Sequence, residues 1–108
     1  MVDKPIGDVI RRYLSTLPAL GIRPSRAVLF GSFARDEADE DSDIDLIVIA
    51  PEFDSSYTLE TVESLWEARA GADNRIEPIP CGEREWEAET GRPILDIARQ
   101  EGIVIAAE

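Results

Sequence analysis

Two aspartates one residue apart, Asp43 and Asp45, open the run Asp43-Ile44-Asp45-Leu46-Ile47-Val48-Ile49-Ala50, which is rich in strand-forming residues and stopped by Pro51. In a strand, side chains at i and i+2 share a face, so these carboxylates would stand roughly 6–7 Å apart on one side. Like charges so placed repel unless cations lie between them, and magnesium, which prefers oxygen ligands and keeps several waters, suits such a pair. Ten residues separate Asp43 from the dipeptide Gly31-Ser32, which follows the apolar run Ala27-Val28-Leu29-Phe30. A glycine there lets the chain turn sharply and bring backbone N–H groups up to a ligand. Ser32 adds a hydroxyl and is placed to cap a short helix running into Ala34 and Arg35. Strand, Gly-Ser, helix start is a sensible cradle for phosphate, although Gly-Ser taken alone is more often an ordinary capped turn.

A third carboxylate would complete a two-metal site, and Glu77 in Arg75-Ile76-Glu77-Pro78 is the candidate. A neighbouring strand would bring it to about 5 Å laterally from the aspartates. From the residues alone, an exposed glutamate on an edge strand is an equally good reading, and Pro78 points to an edge or irregular strand. The other acids read differently. Seven of the ten residues from Asp36 to Asp45 are acidic, and Asp36, Glu37, Asp39, Glu40 and Asp41 are expected to repel into a solvated loop. An EF-hand reading fails: starting at Asp39 puts Ile44 at the turn glycine and Ala50 at the bidentate glutamate, and starting at Asp41 puts Leu46 at the glycine. Trp66 and Trp86 are expected to pack helices onto a core, Cys81 to be a small residue after a strand, and Glu83, Glu85, Glu87 and Glu89 to be solvated.

Elements that could position these residues are legible. Ile6, Val9, Ile10, Tyr13, Leu14 and Leu17 recur at helical spacing after Pro5, ending near Pro18–Gly21. Strands are expected over Ala27–Phe30, Asp43–Ala50, Arg75–Pro80 and Ile103–Ala106, and helices over Leu59–Ala70, Glu83–Glu89 and from Pro93 to Gly102. The alternation predicts an α/β or α+β architecture, a small mixed β-sheet flanked by helices, as a single domain over residues 1–108.

Composition excludes several classes of chemistry. There is no histidine, so Ser-His-Asp hydrolysis and histidine-ligated zinc are ruled out, and the one cysteine forbids an intrachain disulfide. Twenty-three acidic against 11 basic residues leave a net charge of −12, which argues against general nucleic-acid binding or an anionic membrane surface. One nucleotide remains acceptable where divalent cations reverse the local sign. No apolar run approaches a membrane span and no leader is visible, so the expected location is cytoplasmic.

Taken together, Gly31-Ser32, ten residues, and Asp43-Ile44-Asp45 resemble the signature of the DNA polymerase beta-like nucleotidyltransferase superfamily. The string GSFARDEADEDSDIDLIVI is similar to its minimal nucleotidyltransferase branch, where GS-x-A-R leads to S-D-x-D-L. The resemblance implies that fold, with Gly31 and Ser32 on the triphosphate, Arg35 meeting a phosphate, and Asp43, Asp45 and Glu77 as catalytic carboxylates holding two Mg2+ ions, or Mn2+. It further implies transfer of a nucleotide, AMP from ATP in the first instance, to an acceptor. Minimal members are commonly paired with a small helical HEPN-domain protein in toxin–antitoxin modules, so a partner's side chain is one acceptor and oligomeric assembly is open. Two departures stand out: Asp36 where glycine is common, and Pro78 directly after the third acid. The competing readings are an inactive module of the same fold that neutralises a partner by contact and, more weakly, a metal-dependent phosphohydrolase.

Overall fold

The computed structural model describes residues 4–88 and 92–107. The apolar period of the first segment winds it into helix α1, Lys4–Thr16, extended by a 3-10 turn over Leu17–Leu20. Gly21 ends that turn at φ 86°, a left-handed conformation that costs glycine little. Strands β1 (Arg26–Phe30), β2 (Ile44–Ile49), β3 (Ile76–Cys81) and β4 (Ile103–Ala106) form a mixed sheet in the order β3-β2-β1-β4. β1 runs antiparallel to both β2 and β4, whereas β3 lies parallel to β2. A parallel neighbour requires a crossover, which helix α2 (Leu59–Glu67) supplies, its start capped by the Thr58 hydroxyl accepting from the Thr61 N–H. Helices α3 (Glu83–Glu87) and α4 (Pro93–Glu101) occupy the return from β3 to β4.

Alternation along β2 divides the core between two helical layers. Ile44, Leu46 and Val48 pack with Ile10, Tyr13 and Leu14 of α1 and Leu65 of α2. Ile47 and Ile49 pack on the other face with Val28, Phe30, Cys81 and the α4 residues Leu95 and Ala98. The same period of two puts Asp45 and Glu77 on the α4 face, at the end of the sheet where β1 finishes. Between α1 and α2, the buried Tyr13 hydroxyl donates to the Leu65 carbonyl at 2.6 Å, and burial raises its proton affinity.

β3 is a regular edge strand despite Pro78 and Pro80, because of where their nitrogens point. The Ile44 N–H donates to the Arg75 carbonyl and the Ala50 N–H to the Cys81 carbonyl, so odd-numbered residues of β3 face β2. Pro78 and Pro80 turn their missing donors toward the open edge and take no bond from the ladder.

Several expectations are corrected at the margins. Asp43 lies one residue before β2 and not inside it, so the strand period does not itself fix its direction. Helix α2 closes at Glu67 and tightens into a 3-10 turn over Ala68–Gly71, and α3 closes at Glu87; Glu89 lies outside the described residues. Trp66 is not core: Leu65 takes the inward position on α2, which leaves Trp66 on the solvent side with the Arg69 guanidinium 4.5 Å above its ring. Trp86 does pack against the core, partly buried, with Arg99 over its ring. Among the described residues, no helix is long and apolar enough to cross a membrane.

Candidate active site

β1 delivers the chain to the sheet end at Phe30, where Gly31 turns it with φ 77° into a 3-10 turn over Gly31–Phe33. Only glycine fits. Besides the left-handed backbone, a Cβ at Gly31 would collide with the Asp45 carboxylate, so the turn and the acid are packed in direct contact. Ser32 does not cap this turn, contrary to expectation. The cap position belongs to Phe30, with no side-chain cap bond, and Ser32 sits within the turn, its carbonyl accepting from the Glu37 N–H at 2.9 Å.

The acids separate into two sets. Asp36, Glu37, Asp39, Glu40 and Asp41 are exposed, as a repelling run should be, and the loop is ordered by local bonds: Asp39 Oδ1 accepts from the Asp41 N–H and the Ser42 hydroxyl. Asp36 takes φ 60°, the left-handed conformation that glycine favours and aspartate tolerates better than most. Arg75 ties the loop to β3, donating to the Glu40 carbonyl while paired with Asp73, whose carboxyl it holds below the usual range.

The second set gathers at the sheet end. Asp45 and Glu77 are directly paired in the β2–β3 register, both half-buried. Asp43 comes within hydrogen-bonding reach of Glu77 despite lying outside the strand. Burial first, then the neighbouring Asp43, raises the proton affinity of both Asp45 and Glu77. So much negative charge on one face favours a cation, and an all-oxygen donor set suits a divalent one. Among the described residues no three acids converge into a closed metal cage, but magnesium held by one or two carboxylates and completed by water and phosphate oxygens requires none.

Arg35 stands beside this cluster, bonded to Glu37 at 2.8 Å and to both carboxylate oxygens of Glu101 at 3.1 and 3.2 Å. Glu101 also accepts from the Gly31 N–H at 3.0 Å. Neither Glu101 nor the brace at Arg75 was recognisable as part of the site from spacing, since Glu101 lies 70 residues from Gly31. One signal was available: an acid in the last turn of a helix opposes the helix dipole and asks for a reason. Cys81 is buried with its thiol pushed up to about 12, chiefly by desolvation, so it is no nucleophile. The groove of about 390 Å³ lined by Leu20, Ile22, Tyr57 and Thr58 lies away from these carboxylates.

Residues 9–88 match the family model of the nucleotidyltransferase domain. The chain belongs to that family. This nucleotidyltransferase domain is also similar in fold to a protein from Sulfolobus solfataricus described as a candidate nucleotidyltransferase, with a TM-score of 0.58 at 15% identity over 94% of this chain and 76% of the other. No curated protein sequence matches it. The matched residues take in Gly31, Ser32, Arg35, Asp43, Asp45 and Glu77, whereas α4, β4 and Glu101 follow the end of the nucleotidyltransferase match.

Proposed function

We propose that the domain transfers a nucleoside monophosphate, AMP from ATP in the first instance, to an acceptor hydroxyl, with divalent metal bound at Asp43, Asp45 and Glu77. The observation that carries this reading is the register of Asp45 against Glu77 with the Gly31 turn packed on the Asp45 carboxylate. It brings a glycine turn and a pair of carboxylates together at one sheet end, which supports the reading. When bound, magnesium or manganese would offset phosphate charge and activate the acceptor oxygen. The protein's own groups do the rest. Gly31 and Ser32 take the triphosphate tail, Arg35 meets a phosphate, and Asp43 and Asp45 would hold the metal that lies against the phosphates. The acceptor oxygen bonds to the α-phosphorus, the bond from that phosphorus to the α–β bridging oxygen breaks, and pyrophosphate leaves with the electron pair. Glu77, paired with Asp45 across the two strands, accepts the acceptor's proton.

The acceptor is a partner's side chain in this reading, the partner a small helical HEPN-domain protein of a toxin–antitoxin pair in the cytoplasm. The net charge of −12 favours a basic partner surface. A second reading, contact neutralisation by an inactive fold, draws on the same charge. An α-labelled ATP assay with magnesium and the partner separates them: label on the partner supports transfer, and full neutralisation of the partner by a transfer-dead Glu77→Gln protein supports contact alone.

A further inference from the structure

The β1–β4 ladder ends in an irregular way. The Ala107 N–H donates to the Ser25 carbonyl, and the register pairs Ala27 with Ile105 and Leu29 with Ile103, so the next ladder pair would be Gly31 with Glu101. Glu101 instead closes α4, and its side-chain carboxylate supplies the acceptor that a strand carbonyl would have given to the Gly31 N–H. Nothing in α4 itself calls for an acid there, since the helix dipole disfavours it and Asp45 is close enough to feel its charge. The same carboxylate grips Arg35 through both oxygens. Arg35 is a long side chain, 46% exposed, which alone would sample many rotamers. Held between Glu101 and Glu37, its guanidinium is fixed beside the Gly31 turn, whose N–H donates to the same Glu101 carboxylate.

We infer that Glu101 is a positioning residue of the nucleotide site: anchored on the Gly31 amide, it holds Arg35 at the sheet end where a phosphate would meet it. This rests on the nucleotidyl-transfer reading above. The test measures the Kd for ATP with magnesium by titration calorimetry, alongside Tm, for wild type, Glu101→Ala, Glu101→Gln, Arg35→Ala and the Arg35→Ala/Glu101→Ala double variant. Arg35→Ala should weaken binding about tenfold or more, the scale of a charged hydrogen bond, and Glu101→Ala about threefold. Glu101→Gln, which keeps an acceptor for Gly31 but not the charge on Arg35, should fall between wild type and Glu101→Ala. The double variant should bind within about twofold of Arg35→Ala, because a residue acting through Arg35 has nothing left to act on. A merely structural role would give additive losses tracking a fall in Tm, and that result overturns the inference. Unchanged binding in Glu101→Ala does so too, as does tighter binding, which would make the carboxylate a competitor of the triphosphate. Failure of wild type to bind any nucleotide with magnesium or manganese is a different result, removing the nucleotide reading and this inference with it.

Discussion

The acidic loop runs directly into Asp43 and Asp45 of the acidic sheet end, with the same side-chain chemistry, and the fold treats the two regions oppositely. The acids from Asp36 to Asp41 are exposed, held by the Asp39 turn bonds and by arginines at Glu37 and the Glu40 carbonyl. Asp45 and Glu77 are held half-buried across a strand pair, with Asp43 beside Glu77, and two of the three resist ionisation. Abundance of carboxylate therefore does not distinguish the two regions; enforced crowding does, because charge held together gains more from a cation than charge free to move apart.

That contrast can be broken most severely with the double variant Asp43→Asn/Asp45→Asn. Magnesium with nucleotide at 100 times its Kd should stabilise wild type by about 2.7 kcal/mol in thermal melts, and the double variant should lose that gain together with transfer. The loop pair Glu40→Gln/Asp41→Asn should change nucleotide affinity by less than about twofold, as exposed surface substitutions do. A loop effect as large as the sheet-end effect would end the distinction. Next in size, Glu77→Gln should lower transfer of label from α-labelled ATP at least about a hundredfold while nucleotide binding largely survives.

The two regions should also differ in how they answer to pH. Since the folded-state proton affinities of Asp45 and Glu77 are raised, their contribution to stability is full below the ordinary carboxylate range and is lost as pH rises through the raised values. The metal-free Asp45→Asn/Glu77→Gln protein should therefore melt above wild type at pH 7, by a few degrees at most, with the gap closing toward pH 4. A gap that widens on acidification would contradict the crowding. The smallest effect belongs to the loop: Asp36→Gly relieves a left-handed backbone and should raise Tm by about 2–4 °C without altering nucleotide affinity, read in the same melts.

How much of this was legible in the sequence depends on the range of the interaction concerned. The strand around Asp45 and the helix of Ile6, Ile10 and Tyr13 follow from periodicity because one buried face repeats locally. Gly31 was readable as a turn, yet its tight fit against Asp45 is a tertiary contact across the β1–β2 pair. The Glu77 register depended on which strand lies beside β2, and hydrophobic pattern does not encode strand order. Ser32 and Trp66 depart from the pattern by a single position each: the 3-10 turn starts one residue before Ser32, and Leu65 takes the inward place beside Trp66. Asp36, which departs from the glycine common at that position, takes the left-handed conformation that aspartate tolerates.

The two prolines of β3 also constrain how anything can approach Glu77. A visiting strand adds to a sheet by exchanging main-chain bonds along its rim, and on this rim Pro78 and Pro80 have no hydrogen to give. A polypeptide laid alongside β3 would leave its own carbonyls opposite both prolines dry and unmatched, a penalty that discourages clustering of copies as much as docking of a target. In the nucleotidyl-transfer reading, an acceptor is expected to come in over the end of the sheet, presenting a side chain or a chain terminus, and not by lying down as a fifth strand beside the acid.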